Sequence, residues 1–503
     1  MYKRYLLPLL LFLLALLILF TYKHYGTTFD ERDQIALGQH TLSFYTTFGK
    51  DTSFLTLSHE PEFFLTHGPI FEAVRAGIAK VFGNALDTYH LLLALFALSG
   101  FFFVYKIVYL RTKNMWIAAA SFLLLLCMPR FYGDIFTNSK DIVPACLLLV
   151  SVYFSFLYIA GERRLRYLFF LGITFGVSIS IRPALVYAYV LFVAVSFVQA
   201  VVQKNSFKKY VLHQVQLFIV TAISLYSSSP YLLLHPTEIV KIISASEKYP
   251  WAGAILFERL MYNPTVLPWQ YLIEWMVISI PAIAILFFAL GNVLLIRTFL
   301  RKTTAATYSS IYIFLLFWIP LLLVLFTHPI IYDGWRQFLF LTGPFILLAS
   351  IGLSVLFTSK NKVIFYCGIA LFVLNIFFTV KTMAALHPYE YVYFNSLTGG
   401  LPGAYGKYET DYWGASFKEA TEWVGQHRNA FITQDKTLYV DPCIAHLSSP
   451  YIQKDMLLSH EKATISYCYT RWNKDKELPG KIIHIVQRQG VPLQVITLQD
   501  RQQ

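Results

Sequence analysis

The sequence predicts a polytopic α-helical membrane protein, and three observations lead to that prediction. Of its 503 residues, 56% are hydrophobic and only 14% are charged, which is far more apolar surface than a soluble globular protein needs. The apolar residues form long runs, and the first, residues 5–22, is long enough to cross a bilayer core. Clusters of Lys and Arg recur in every second loop between the runs, as they do on the cytoplasmic side of membrane proteins.

Eleven apolar runs are interpreted as membrane spans. The first follows Lys3 and Arg4 and has no small-residue cleavage site after it, so we expect a retained anchor. With a cytoplasmic N-terminus, eleven spans satisfy the alternation of basic loops and leave the C-terminal region outside the cytoplasm. The predicted spans cover approximately residues 5–22, 88–110, 115–128, 142–160, 168–181, 184–202, 211–234, 271–296, 311–326, 338–357 and 363–386.

Two regions are not expected to cross the membrane. Residues 23–87 are polar to amphipathic, and within them residues 63–82 mix apolar and charged side chains at near-helical spacing, which is typical of interfacial helices. We therefore predict a membrane domain, residues 1–386, followed by a small extracytoplasmic α/β domain, residues 387–503. The helix and the three strands expected in that second domain lie at residues 416–426, 437–440, 481–487 and 494–498.

The net charge of +13 does not require a nucleic-acid partner. The excess of Lys and Arg lies in the membrane part, whereas basic and acidic residues roughly balance in the C-terminal region. We therefore expect membrane lipids as surroundings and no nucleic acid as partner.

Five cysteines are few for a chain of this length. Cys127, Cys146 and Cys367 lie in apolar runs and are interpreted as packing residues. Cys443 and Cys468 lie in the C-terminal region and can pair if that region is extracytoplasmic, a question that the sequence leaves open.

Four polar features fall at span ends on the side opposite the basic loops. A transporter would place ionisable groups in the middle of spans, whereas the span middles here contain almost no acids. The pattern therefore favours an enzyme that acts at the membrane surface on a lipid-linked substrate. The features are Asp30 with Glu31, the loop that contains Asp134, Lys140 and Asp141, the turn at Arg182 and Pro183, and the loop that contains His328, Asp333 and Arg336.

These residue types suit sugar transfer from a polyprenyl phosphate. A carboxylate can deprotonate an acceptor hydroxyl, and Arg can hold a phosphate through its planar fork. A polyprenyl phosphate leaves readily once its charge is neutralised. Such a reaction therefore needs one general base and cationic stabilisation, and not the acid/base pair of a hydrolase.

The ordered set of motifs resembles the family 39 glycosyltransferases of the membrane GT-C class, which include protein O-mannosyltransferases and lipid A aminoarabinose transferases. Asp30-Glu31 is similar to the family's acidic pair in the first external loop, and Arg182-Pro183 to its basic residue after the fifth span. The resemblance implies a GT-C fold and a polyprenyl-phosphate-linked sugar as donor. Because the C-terminal region lacks the repeats of eukaryotic protein mannosyltransferases, the acceptor stays open. Other similar segments are residues 67–70, 138–144, 332–336, 387–395 and 399–414.

Three acids are predicted to act on the acceptor. Asp30 is the predicted general base, and the alternative is that it only caps the following helix. Glu31 is predicted to orient the acceptor or to share the task, and Asp141 to complete the acceptor site, with a capping role on the fourth span as its alternative. A single displacement then predicts inversion at the anomeric carbon.

Arg182, Arg336 and Lys140 are the predicted ligands of the donor phosphate, and the alternative for each is snorkelling to lipid headgroups. No close spacing of His, Cys and Asp predicts a metal site, so turn contacts are the favoured interpretation of the histidines. A divalent ion at the acidic pair is left open as a cofactor. Secondary or acceptor-side roles are predicted for Asp134, His67, Asp333 and His328.

Two other functions stay open. The protein can be a component that binds or flips a lipid-linked sugar, or a scaffold, without chemistry. It can also be an oligosaccharide ligase or polymerase of similar layout that uses a diphosphate-linked donor. Consumption of a labelled polyprenyl-phosphate sugar would separate a transferase from a binding protein.

Overall fold

A computed structural model describes residues 5–57, 68–83, 86–162, 164–204, 206–245, 251, 253–299, 305–432 and 437–499 of the chain. Within these ranges, nine helices are long and apolar enough to cross a membrane, and a tenth span results if one bent helix pair is counted as a single crossing. A small sheet follows near the C-terminus. The predicted fold class, a polytopic α-helical membrane protein, is confirmed.

The helices of the membrane part differ in how deeply they are buried. Those at its two ends, residues 6–24 and 362–386, keep most of their apolar surface exposed, whereas residues 336–358 are almost wholly buried. In chain order the helices are α1 (Leu6–Thr21), α2 (Glu31–Thr46), α3 (Ile70–Phe82), α4 (Leu86–Thr112), α5 (Met115–Leu126), α6 (Pro129–Thr137), α7 (Ser139–Leu157), α8 (Leu165–Ile181), α9 (Val186–Val202), α10 (Phe207–Ser228), α11 (Pro230–Leu234), α12 (Ile239–Ala245), α13 (Tyr271–Ser279), α14 (Ala282–Phe299), α15 (Ala305–Thr327), α16 (Thr342–Thr358) and α17 (Lys362–Leu386).

Several predicted elements differ from the structure. The seventh predicted span, residues 211–234, is divided into α10 and α11 at Ser229. The fifth predicted span is α8, which has 17 residues and lies at the short end of what crosses a bilayer core. The eighth is divided into α13 and α14 at Ile280 and Pro281, because proline lacks the N–H and clashes with the preceding turn. Residues 129–141, expected as a loop, form α6 and the start of α7. Proline at the first helical position favours that start, and α6 bends 67° away from α5.

Close helix contacts in the bundle depend on small residues. Gly291 on α14 and Gly352 on α16 face each other, and a Cβ on either would collide with a carbonyl oxygen of the opposite helix. Small residues at such positions let helix backbones approach closely, which is how membrane helices gain packing contacts where lipid offers no hydrophobic driving force. This pair fixes α14 against α16, the helix that follows Arg336.

The first loop contains helices outside the spans, as the sequence predicts. Helix α2 packs on α3, and a Cβ on Gly38 would lie 2.5 Å from the carbonyl oxygen of Glu72. The segment before α3 is anchored to the end of α8 by a hydrogen bond from the Gly68 N–H to the Ser180 carbonyl, at 2.8 Å. The first loop is thereby held beside the turn that contains Arg182.

The C-terminal region forms a five-stranded mixed sheet in the order β4 (Met456–Leu458), β3 (Leu438–Pro442), β5 (Ile465–Tyr469), β7 (Val491–Leu498) and β6 (Lys481–Arg488). Strand β3 is parallel to β4 and β5, whereas β7 is antiparallel to β5 and β6. Cys443 and Cys468 form a disulfide, with Cα atoms 5.3 Å apart. The sequence predicts β3, β6, β7 and the helix α19 but misses β4 and β5. A hairpin, β1 (Ile255–Phe257) with β2 (Leu260–Tyr262), precedes the region, whose elements are α18 (Gly400–Ala404), α19 (Phe417–Gln426), β3 (Leu438–Pro442), α20 (Ala445–Ser448), β4 (Met456–Leu458), β5 (Ile465–Tyr469), β6 (Lys481–Arg488) and β7 (Val491–Leu498).

Candidate active site

Six charged residues from four separate segments meet at one end of the helix bundle, and we call them the charge cluster. Four of them flank or begin α2, α7 and α8, and the other two lie in the segment that connects α15 to α16. Its members are Asp30 before α2, Lys140 and Asp141 in the first turn of α7, Arg182 after α8, and Asp333 and Arg336 between α15 and α16.

Asp30 is the most accessible acid of the charge cluster. Its carboxylate forms an ion pair with Lys140 and lies 3.8 Å from Nη1 of Arg336. It precedes α2 but makes no side-chain capping hydrogen bond to that helix, so the capping alternative is not supported. A quarter of its side chain is exposed, compared with 1% for Asp141. Of these two acids, Asp30 is therefore the one that an incoming hydroxyl can reach.

Asp141 joins two guanidinium groups inside the cluster. It forms an ion pair with Arg182, and its Oδ2 lies 3.6 Å from Nη1 of Arg336. The Asn138 side-chain amide donates a hydrogen bond to the same carboxylate at 2.8 Å. Asn138, and not Asp141, occupies the capping position before α7. A buried carboxylate with these partners is suited to fix the positions of the two arginines.

Arg336 is held on several sides. Its Nε donates to Asp333 at 2.9 Å, and its guanidinium stacks 4.4 Å from the ring centre of Trp413 and 4.9 Å from that of Tyr332. Only 4% of the side chain is exposed, which excludes snorkelling to headgroups. The Nε edge faces Asp333, while Nη1 faces Asp30 and Asp141. The arginine fork thus presents fixed positive charge to the acids.

Glu31 points away from the charge cluster, although the sequence pairs it with Asp30. It accepts a hydrogen bond from the Thr28 N–H at 3.0 Å, and its other oxygen lies 2.8 Å from Nε2 of His90. Only 1% of its side chain is exposed. These contacts fix the turn that leads into α2. The Glu31 carboxylate is thus engaged by the turn and the imidazole, and its role toward the acceptor stays a prediction.

Three further residues that the sequence predicts for the site are not members of the charge cluster as the structure describes it. Asp134 lies on α6 and accepts hydrogen bonds from the Trp413 indole and the Asn138 amide. It therefore helps to position two residues that contact Arg336 and Asp141. His328 is exposed after α15 and lines a separate cavity beside Trp269. His67 lies outside the described residues.

Two residues of the C-terminal region contribute contacts that the sequence did not reveal. Trp413 covers Arg336 and donates its indole N–H to Asp134 at 3.0 Å. Arg471 forms an ion pair with Asp333 at 2.5 Å. Trp413 lies in a segment that the sequence distinguishes only through the family resemblance, and nothing in the pattern around Arg471 indicates its contact with Asp333.

The aromatic run after the last span joins the membrane part to the C-terminal sheet, and we call residues 387–395 the seam. Glu390 accepts hydrogen bonds from the Tyr25 hydroxyl at 3.1 Å and from the His387 ring at 2.7 Å. The Tyr391 hydroxyl donates to Asp411, and the backbone at Tyr391 packs so closely on Gly133 that a Cβ there would lie 2.9 Å from it. The seam is therefore a junction between the membrane part and the C-terminal region.

Comparisons with known proteins identify the architecture. Residues 66–227 match the family described as dolichyl-phosphate-mannose-protein mannosyltransferase. The crystal structure of ArnT from Cupriavidus metallidurans bound to undecaprenyl phosphate aligns with a TM-score of 0.51 at 13% identity, over 97% of this chain and 97% of that chain. The chain has the GT-C fold. The resemblance inferred from the motifs is confirmed at this level.

Two further solved structures align with the chain, one about as well as the first and one less well. ArnT from the same organism in the apo state aligns with a TM-score of 0.50 at 13% identity, over 97% of each chain. The apo oligosaccharyltransferase of Archaeoglobus fulgidus has a TM-score of 0.47 at 12% identity, over 92% of this chain and 66% of that one. No curated protein sequence matches the chain.

The acids of the charge cluster are paired with lysine and arginine side chains. Across the described ranges, no three His, Cys, Asp or Glu side chains are grouped so that they could hold a metal ion. In the charge cluster, Asp30 and Asp141 face Lys140, Arg182 and Arg336 instead. The charge cluster thus places three cationic side chains beside one accessible carboxylate, that of Asp30.

Proposed function

We propose that the protein is a membrane glycosyltransferase that moves a sugar from a polyprenyl-phosphate donor to an acceptor hydroxyl, with Asp30 as the general base. The proposal rests on one observation: the most exposed acid of the charge cluster directly contacts the cations that would hold the phosphate. The class of donor follows from the matched family, which is named for dolichyl-phosphate mannose, and from the ArnT structure, which contains undecaprenyl phosphate.

The phosphate of the donor lies between Arg182, Arg336 and Lys140. There it replaces Asp30 as a partner of Lys140 and Arg336, since phosphate oxygens are the better match for a guanidinium fork. Asp30 is thereby released to face the acceptor. Asp141 stays buried and keeps both arginines in position.

The chemistry is a single displacement. The acceptor hydroxyl transfers its proton to Asp30 while its oxygen attacks the anomeric carbon, and the bond from that carbon to the phosphate oxygen breaks. The bonding electrons leave with the polyprenyl phosphate, whose added negative charge is stabilised by the three cations. One displacement inverts the anomeric configuration.

The reaction takes place on the extracytoplasmic side in this proposal. The basic clusters of the sequence favour a cytoplasmic N-terminus, and Asp30 follows the first span directly. The same reasoning assigns the C-terminal domain, residues 387–503, to that side, where oxidising conditions permit the Cys443–Cys468 disulfide.

The test is donor consumption by the purified protein with a radiolabelled polyprenyl-phosphate sugar and a membrane extract as acceptor source. Asp30→Asn is expected to reduce transfer by about 100- to 10,000-fold, the usual contribution of a general base. Asp33→Asn, an exposed acid in the first turn of the same helix, is the matched control and should transfer at the wild-type rate. Retention of most activity by Asp30→Asn would refute the base assignment. A wild-type protein that binds the donor but never consumes it would be a binding protein.

A further inference from the structure

Arg471, from the C-terminal domain, reaches the charge cluster through one acid. It lies two residues after β5, and its Nη2 forms an ion pair with Oδ1 of Asp333 at 2.5 Å. The other oxygen of Asp333 accepts the hydrogen bond from Nε of Arg336 at 2.9 Å. One carboxylate thus bridges an arginine of the C-terminal domain and an arginine of the site.

All three nitrogens of the Arg471 guanidinium lie close to oxygen atoms. Besides the Asp333 contact, Nη1 donates to the Tyr412 carbonyl at 2.9 Å, and Nε lies 3.3 Å from Glu409. The guanidinium also stacks 4.5 Å from the ring centre of Trp472. Only 6% of the side chain is exposed. Contacts within its own domain thus help to fix the orientation in which Arg471 meets Asp333.

Asp333 is held in a backbone conformation that serves the bridge. It has φ of +57° and is followed by Gly334 with φ of +71°, whose N–H donates to the Tyr271 hydroxyl at 3.1 Å. A non-glycine residue in this region is uncommon and persists only where its surroundings determine it. Without Arg471, one oxygen of a 95%-buried carboxylate would lose its charged partner, at a substantial desolvation cost.

We propose that Arg471 is a positioning residue for sugar transfer. It fixes the rotation of the Asp333 carboxylate, which in turn holds the Nε edge of Arg336, so that Nη1 of Arg336 faces the phosphate position beside Asp30 and Asp141. The C-terminal domain is then a part of the active site, and Arg471 acts there through Asp333 and Arg336. This inference rests on the proposed function.

Loss of Arg471 is expected to destabilise the transition state of sugar transfer more than the bound donor. The phosphate gains negative charge as the sugar leaves, so a misplaced Arg336 harms the transition state and the polyprenyl-phosphate product more than the bound donor. Arg471→Gln should therefore lower kcat by about 10- to 100-fold, the usual cost of a small displacement of a catalytic group. It should also weaken binding of undecaprenyl phosphate more than it raises KM for the donor.

A set of variants separates positioning from general stability. Arg471→Lys keeps the charge but not the fork and should recover part of kcat. Asp333→Asn should resemble Arg471→Gln, and the double variant should be no slower than the slower single variant, because both act on one pathway. Arg488→Gln is the matched control. Arg488 is also an arginine of the C-terminal sheet that pairs with an acid, Glu419, but it contacts the seam.

The experiment measures undecaprenyl-phosphate affinity, transfer kinetics and the melting temperature of purified full-length proteins. A loss of kcat and of undecaprenyl-phosphate affinity in Arg471→Gln, with partial recovery in Arg471→Lys and wild-type kinetics in Arg488→Gln, supports the inference. Wild-type kinetics in Arg471→Gln, or multiplicative losses in the double variant, overturn it. If Arg471→Gln does not fold, Arg471→Lys and Asp333→Asn decide by the same criteria. A wild-type protein that neither binds undecaprenyl phosphate nor transfers sugar overturns the proposed function as well.

Discussion

The C-terminal domain meets the membrane part at the seam and also, through Arg471 and Trp413, at the charge cluster. The partners of the acids differ between these two junctions. In the seam, Glu390 is bonded to a tyrosine hydroxyl and a histidine ring, and Asp411 to the Tyr391 hydroxyl. In the charge cluster, the acids face lysine and arginine, and one of them remains partly exposed. A junction of the first kind holds two parts of a protein together. In our proposal, a junction of the second kind also binds an anion and accepts a proton.

The burial of paired charges in the charge cluster calls for an explanation, because it costs free energy. Removing paired charges from water costs several kcal/mol per ion, and apolar residues of similar volume often serve stability equally well. Arg336, Asp333, Asp141 and Arg471 are nonetheless all buried together. Ligand binding and catalysis supply that reason in our account, whereas the seam needs only stability.

Of the substitutions that test the difference between the charge cluster and the seam, replacement of the Arg336 guanidinium should have the largest effect on sugar transfer. Arg336→Lys keeps the charge but loses the Nε contact to Asp333 and the second prong toward the phosphate. We expect transfer to fall by about 100-fold, as when one donor to a developing charge is removed. Transfer kinetics measure the loss. An unchanged rate would mean that Arg336 has a structural role comparable to that of the seam.

Truncation of Arg182 should have a smaller effect, mainly on binding. Arg182→Ala removes one charged donor from the phosphate site, which corresponds to about a tenfold loss of donor affinity or more. Binding of labelled donor in detergent measures it. Unchanged affinity would assign Arg182 to headgroups or to Asp141 alone.

A substitution in the seam should lower the stability of the protein and leave the rate of sugar transfer unchanged. Glu390→Gln removes the charged acceptor of Tyr25 and His387 and should cost about 1–3 kcal/mol of stability, seen as a lower melting temperature. The kcat of the folded fraction should stay at the wild-type value. A large loss of kcat would erase the functional distinction between the two junctions.

The smallest expected effect is a pH dependence at Glu409, beside Arg471. Burial raises the pKa of Glu409 to about 7, although the neighbouring Arg471 opposes this shift. A raised pKa means that the folded protein binds the proton more tightly, so the stability contribution is complete below the unfolded pKa of about 4.5 and declines as the pH rises through 7. Glu409→Gln should flatten the dependence of melting temperature on pH between about 4.5 and 7. An identical slope in wild type and variant would contradict this assignment.

Hydropathy located most of the membrane part because each span must be continuous and apolar, and α4 extends only two residues beyond each end of its predicted run. It failed where helices break or bend inside an apolar stretch, as at Pro281 and between α5 and α6. At those points a proline or a tertiary contact, and not composition, decides the path of the chain.

The site was only partly accessible to sequence reasoning. Asp30 and Glu31 are adjacent acids, and the sequence cannot say which one faces the cations, because neighbouring positions on a helix point about 100° apart. Arg471 is 138 positions from Asp333, and their contact exists only after the C-terminal domain has packed on the bundle. Residues at span ends were found because their position in the membrane is itself a signal.

A structure of the protein with undecaprenyl phosphate bound tests the central claim most directly. Our account predicts phosphate oxygens at about 2.7–2.9 Å from the guanidinium nitrogens of Arg336 and Arg182, with Lys140 turned from Asp30 toward the phosphate. A phosphate located at any other place, with the ion pair between Asp30 and Lys140 intact, would contradict it.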